Sequence, residues 1–241
     1  MISVCMTTYN GSLFVFQQVA SILNQLGVED ELIICDDGSS DDTIAIINEF
    51  NDNRIKLHIN DVNLGHVGNF QKALNLAQGD YIFLSDQDDI WAEDKVSICL
   101  NALKDDKVIM VHHGIQTIDS NGEFIQSDYL DLSRCKLTKQ NIFSVMRFVF
   151  FPRFFGCALA FKRELLEKSP GFSKATYAHD HFLCLCALKL GDVEFVDEPL
   201  ISYRQHSCNL TPKKRSFSFA MVRRRASLLF DAVKIYKFRG K

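Results

Sequence analysis

The feature that most limits what this chain can become is the rhythm of its first hundred residues. Residues 2–7, 31–35, 54–59 and 81–84 are short, almost wholly apolar or β-prone runs, and between them lie segments with helical spacing at 12–26, 43–50, 69–77 and 92–103. In the first helical segment Val15, Val19, Ile22, Leu23 and Leu26 fall on one side, and Ser40, Asp41 and Asp42 offer capping groups where the second begins. Continuous apolar strands separated by helices imply βαβ units, and hence a largely parallel sheet covered by helices on both faces, with right-handed crossovers. In such a sheet all the strand carboxyl ends lie along one edge, and ligands bind there.

Polar side chains are concentrated at those ends. The first strand runs into Thr7-Thr8-Tyr9-Asn10-Gly11, the second into Asp36-Asp37-Gly38-Ser39-Ser40, and the fourth into Ser85-Asp86-Gln87-Asp88-Asp89. Turn formation and helix capping explain one acidic loop taken alone. Two acidic loops at equivalent strand ends bring mutually repelling carboxylates into one crevice, where they require a counter-charge. A divalent cation such as Mg²⁺ or Mn²⁺, shared between carboxylates and a diphosphate, supplies it. The glycine fingerprints GxGxxG and GxxxxGK[ST] are absent, which argues against a dinucleotide oxidoreductase and a P-loop NTPase.

These runs, with Asn63-Leu64-Gly65 and the continuation Leu84-Ser85-Asp86-Gln87-Asp88-Asp89-Ile90-Trp91, resemble family 2 glycosyltransferases of the GT-A fold, and the last run resembles a bacterial, rhamnosyltransferase-like subgroup. The resemblance covers roughly residues 1–207. It implies an α/β fold with a mostly parallel central sheet and an inverting, metal-dependent transfer of a sugar from a UDP- or dTDP-sugar, dTDP-rhamnose among them, to a glycan or lipid-linked acceptor in surface polysaccharide synthesis (O-antigen, lipopolysaccharide or capsule). On this reading Thr7, Tyr9 and Asp37 hold the donor base with Asp36 beside them. Asp86 faces the ribose and diphosphate, and Asp88 binds the metal with Asp86. Asp180, in His179-Asp180-His181 at the start of a predicted helix over 179–190, is the general base. Relatives often carry Glu-Asp where this chain has His179-Asp180. The segment Tyr203-Arg204-Gln205-His206-Ser207-Cys208-Asn209 resembles a late family motif, in which His206 joins the metal site and Arg204 neutralises phosphate. Bare chemistry leaves other readings open: Asp180 as a first-turn acid favoured by the helix dipole, and Arg204 as a strand-end residue in a surface loop. Trp91 is read either as lining the acceptor side or as core. His179 and His181 do not face each other on a helix, which argues against a zinc site.

Beyond residue 108 the rhythm changes. A hairpin is expected at 108–126, a helix at 138–150, strands at 156–162, 193–196 and 200–203, and a boundary at 205–215. The domain expectation is residues 1–209, split into a nucleotide-sugar half (1–107) and an acceptor half (108–209), followed by a basic amphipathic tail over 210–241. That tail carries ten Lys or Arg and one Asp, so the preceding residues hold 17 of the chain's 27 basic and 29 of its 30 acidic side chains. A basic amphipathic helix suits either an anionic membrane surface or the acidic body itself, and the acidic body argues against nucleic acid as a partner. The eight cysteines, in apolar runs without a CxxC pair, are expected to be reduced and buried. With no signal-like N-terminus and no long apolar span, the expected location is cytoplasmic or peripheral on the inner face of the plasma membrane. Two rival functions remain: a nucleotidyltransferase, disfavoured because residues 7–12 lack Lys and Arg, and a non-catalytic nucleotide-sugar-binding module.

Overall fold

The structure is a computed structural model and describes residues 1–126, 154–173, 175–207, 209 and 219–238. Its centre is one eight-stranded sheet in the order β3-β2-β1-β4-β7-β6-β8-β5. Strands β1 (Ile2–Thr8), β2 (Glu31–Asp36), β3 (Ile55–Ile59) and β4 (Tyr81–Ser85) pair in parallel, as the apolar runs require. Strand β7 (Leu159–Lys162) lies antiparallel between β4 and β6 (Val108–Ile118). Strand β8 (Asp192–Arg204) runs parallel to β6 and antiparallel to the two-residue β5 (Ile90–Trp91). The sheet is therefore mixed, and its first half is wholly parallel.

Helices cover both faces. On β1 the side chains of Val4 and Met6 pack with Val15, Val19 and Ile22 of α1 (Val15–Leu23), Ile47 of α2 (Thr43–Glu49) and Cys99 of α4 (Lys95–Leu103). Cys5, between them, points to the opposite face. There it joins Phe70 and Ala73 of α3 (Gly65–Leu76) and Phe182, Leu183 and Leu185 of α6 (His179–Leu190). The short helix α5 (Glu164–Glu167) contributes Leu165 to that layer. The six described cysteines are buried and unpaired with one another.

Several expectations are refined. Strand β8 is continuous, where two short strands at 193–196 and 200–203 were expected. Pro199 is absorbed by a bulge opposite Gly114, where a Cβ would lie 2.6 Å from the Asp197 carbonyl oxygen, so a glycine is needed. Residues 156–158 form a 3₁₀ turn before β7 rather than part of the strand. The hairpin at 108–126 reduces to a tight turn held by Asp119 N–H to Glu123 O (2.9 Å) and a single Ile118–Phe124 bridge. The helix expected at 138–150 lies outside the described residues, as do Cys135 and Cys208. The basic tail contributes a helix, α7 (Phe219–Lys237), which packs on α6. Among the described residues no helix is long and apolar enough to cross a membrane.

Candidate active site at the carboxyl edge of the sheet

The loops after β1, β2 and β4 meet at one edge, and hydrogen bonds fix how. Asp36, fully buried at the end of β2, accepts from Thr8 Oγ1 (2.7 Å), Gly38 N–H (3.1 Å), Ser39 N–H (2.7 Å) and Ser39 Oγ (2.6 Å). Both its oxygens are committed to shaping the loop. Asp37, 4% exposed, accepts from Asn60 Nδ2 (2.8 Å), Leu64 N–H (2.7 Å) and Gly65 N–H (2.9 Å). It thereby caps α3, which has no capping side chain of its own. Asp41 receives Ser12 N–H and the Thr43 backbone and hydroxyl. Burial raises its pKa, but those donors outweigh it and hold the carboxyl at about 2. Thr7 is buried at the end of β1, and Tyr9 beyond it is 51% exposed over the edge.

Gln87, between the two acids of the fourth loop, was not singled out from sequence. Its Oε1 accepts Tyr9 N–H (2.8 Å) and its Nε2 donates to Tyr9 O (3.1 Å), joining the first and fourth loops as a strand pair would. The amide lies over Gly11, where a Cβ would collide with Gln87 Oε1. Gly11 beside an amide-bearing acidic loop was the only sequence signal for this contact.

The acids of the fourth loop contrast with those of the second. Asp88 Oδ2 lies 2.7 Å from His206 Nε2, both side chains being about one-eighth exposed. The His206 ring packs on Phe14 at 4.9 Å. The pKa of Asp86 is raised to about 6, first by burial and then by the charges of Asp88 and Asp180, which His66 and Lys95 only partly offset. That interaction brings Asp180, almost a hundred residues away in sequence, to the same crevice. Asp180 stands in the first turn of α6 and accepts His181 N–H (2.7 Å). Burial raises its pKa, but the charge of His181, that N–H and His66 together lower it below the ordinary carboxylate value, so it stays ionised. His179 itself stacks on Phe70 at 3.9 Å and, buried, is held neutral with its pKa at about 3.

Arg204 departs from the phosphate-facing role expected of it. Its side chain is 2% exposed and donates to the carbonyls of Asp88 (2.9 Å), Asp119 (3.3 Å) and Ser120 (3.3 Å) and to Gln17 Oε1 (2.7 Å). Its own N–H goes to Asp89 Oδ1 (3.0 Å). With its guanidinium donors spent on backbone carbonyls and Gln17, Arg204 clamps the fourth loop from beneath, because a buried guanidinium must find acceptors wherever they lie. Trp91, 4% exposed, is core, and Lys95 Nζ sits 4.0 Å from its ring.

The fourth loop also tests whether the residues fit a metal. Ligand atoms of Asp86, Asp89 and Cys157 lie within 4.8 Å of one another. Asp89 and Cys157 are buried, and burial pushes both their pKa values well up, favouring their protonated forms, while the Lys95 ammonium holds the Cys157 carbonyl at 2.7 Å. That interior group repels a cation. Asp86 and Asp88, with the His206 imidazole beside them, present carboxylate oxygens whose charge no described cationic side chain pairs at hydrogen-bonding distance apart from His206. Their donor chemistry fits a hard divalent ion.

Residues 3–169 match the family described as glycosyl transferase family 2. The chain belongs to that family. Among relatives, a UDP-Glc:α-D-GlcNAc-diphosphoundecaprenol β-1,3-glucosyltransferase of Escherichia coli, WfgD, is 32% identical over 128 residues, 52% of this chain and 51% of its own length. A dTDP-rhamnosyl transferase of Shigella flexneri, RfbG, is 29% identical over 227 residues, 88% of this chain and 75% of its own. Among solved structures, the mannosyltransferase PcManGT of Pyrobaculum calidifontis, in complex with GDP-Man and Mn²⁺, superposes with a TM-score of 0.61 at 21% identity, covering 82% of this chain and 54% of that one. The family 2 chain described here spans about half the length of the first curated relatives it matches. These comparisons and the sheet topology establish the GT-A fold.

Proposed function

We propose that this chain is an inverting, divalent-metal-dependent glycosyltransferase that moves a sugar from a UDP- or dTDP-sugar to a glycan or lipid-linked acceptor in bacterial surface polysaccharide synthesis. The observation that carries the reading is the convergence of Asp86, Asp88 and Asp180, from two distant segments, on the crevice at the sheet edge. The names of WfgD and RfbG support UDP- and dTDP-sugars as donor classes, and that of WfgD supports a lipid diphosphate acceptor.

Asp86 and Asp88, with His206 beside Asp88, would hold Mg²⁺ or Mn²⁺, which when bound neutralises the charge leaving on the nucleoside diphosphate. Thr7, Tyr9 and the backbone around Asp37 form the wall for the donor base. The Asp180 oxygen not occupied by His181 N–H accepts the proton of the attacking acceptor hydroxyl. The new bond joins that oxygen to the anomeric carbon as the bond to the diphosphate oxygen breaks, and attack opposite the leaving group inverts the centre.

The test is transfer and donor-hydrolysis kinetics with a panel of UDP- and dTDP-sugars, with and without Mn²⁺, for wild type and Asp180→Asn. The variant is expected to lose about a thousandfold in kcat with donor affinity kept, the range of a lost general base. Unchanged turnover would remove Asp180 from this role, and full turnover in chelator would remove the metal.

A further inference from the structure

Helix α7 has two apolar faces, and among the described residues only one packs against the body. On the inner face Leu228 and Ile235 are 4% and 1% exposed, and Asp231 accepts the Thr176 hydroxyl at 3.0 Å. Ser227 Oγ donates to Ala175 O and accepts Tyr177 N–H, Lys189 Nζ donates to Ile235 O (2.9 Å), and Lys234 Nζ donates to Gly171 O (2.6 Å). These contacts fix the helix's rotation on the body. They turn Val222, Leu229, Phe230, Val233 and Tyr236 outward, each between 44% and 54% exposed. Positions 222, 226, 229, 233 and 236 follow a three-and-four spacing, so they form one line along the helix, with Phe230 beside it. Arg223 and Lys237, both exposed, flank this line, and the only acid between 219 and 238 is Asp231, held on the inner face.

A soluble surface rarely leaves so continuous an apolar stripe on one helix without an occupant. We propose that the outer face of α7 docks on an anionic lipid bilayer. Apolar side chains of this size reach the acyl boundary, and the exposed cations Arg223 and Lys237 beside them complement anionic headgroups. Pairing with a second copy through the same stripe would bring arginines and lysines together with no carboxylate between them. The proposal rests on α7 and not on the transfer reaction. Because the segment just before Asp180 is bonded to the inner face, docking would hold the crevice close to the bilayer surface.

Co-flotation tests this with the intact chain and two kinds of vesicle, pure phosphatidylcholine and phosphatidylcholine with about one-third phosphatidylglycerol. Wild type is expected to float with the anionic vesicles and to remain in the buffer with the neutral ones. Arg223→Gln/Lys237→Gln should lower partitioning roughly fivefold per charge, and Leu229→Ser/Val233→Ser should abolish it. Melting temperatures should hold, since these side chains lie outside the packed face. A Val233→Cys protein carrying an environment-sensitive dye gives a second readout, a blue shift on anionic vesicles only. Failure of wild type to float, equal binding to neutral vesicles, or a concentration-dependent dimer that Leu229→Ser/Val233→Ser dissolves would each overturn the proposal. All of these are read without donor or acceptor, so they leave the glycosyltransferase assignment untouched.

Discussion

Two acidic regions share the sheet edge, and they are built oppositely. In the loop after β2, Asp36, Asp37 and Asp41 each accept at least three hydrogen bonds from backbone or side-chain donors. In the crevice formed by the fourth loop and α6, Asp88 has one imidazole partner, Asp180 one N–H, and Asp86 none among the described hydrogen bonds. A carboxylate whose lone pairs are filled holds the chain in place, whereas one left open in a partly buried site must bind an ion or take a proton. Residue type alone would rank the two regions equally. Their hydrogen bonds separate a part that shapes the crevice from a part equipped to act in it.

Substitutions can break this contrast. The largest expected effect is that of Asp180→Asn, about a thousandfold in kcat with an unchanged melting temperature. Next, His206→Ala should raise the half-saturating Mn²⁺ concentration by about 10- to 100-fold, since the imbalance at Asp88 then has no partner. Asp37→Asn should do the reverse of Asp180→Asn. It sets an amide group against N–H donors at the start of α3 and should destabilise the protein by about 2 kcal/mol, read as a lower denaturation midpoint. If Asp37→Asn instead left stability intact and removed donor binding, the two regions would not differ as described.

Acid sharpens the same contrast, because neutral imidazoles lie behind the working acids and not behind the β2 loop. Burial lowers the pKa of both His112 and His179 to about 3, against 6.5 when unfolded. Between these values the unfolded chain binds a proton that the folded chain does not. Stability therefore falls as pH drops through 6.5, by about 2 kcal/mol for each histidine at pH 5. Melting curves from pH 7 to 5 should show the decline, and His112→Phe should flatten it in proportion. A melting temperature that stays level down to pH 5 would mean that neither imidazole is held neutral.

Much of the first half was legible because its information is local. Apolar runs fix β1 to β4, and the clusters at their ends fix where polar chemistry collects. What sequence missed depends on partners far along the chain. Helix α3 begins at Gly65, four residues before its periodicity shows, because its cap is Asp37, 28 residues earlier. Arg204 reads as a phosphate ligand, yet its guanidinium reaches the Asp88 carbonyl across 116 positions. The tail's composition suited body and membrane alike, and only the rotation set by Asp231 and Thr176 shows which apolar residues face outward.

Gln87 offers the smallest test and bears most directly on how the fourth loop is held against the loop after β1. Its amide is the direct bond between the loop after β1 and the fourth loop, and Asp86 and Asp88 stand on either side of it. Gln87→Ala removes two hydrogen bonds at an exposed site where water can replace them, so the stability cost should be about 1 kcal/mol or less. The functional cost should be larger, because the acids would lose their fixed distance from Tyr9 and the donor wall. We expect the donor KM to rise severalfold while donor-independent Mn²⁺ binding stays near wild type, as measured by titration calorimetry. Gln87→Glu is the sharper variant: a carboxylate can still accept Tyr9 N–H but cannot donate to Tyr9 O, and it adds a charge beside Asp86 and Asp88. Should Gln87→Glu bind donor as wild type does, the amide is not a staple, and the fourth loop is held by Gln18 Nε2, which bridges α1 to Ser85 Oγ (2.6 Å) and Asp86 O (3.0 Å).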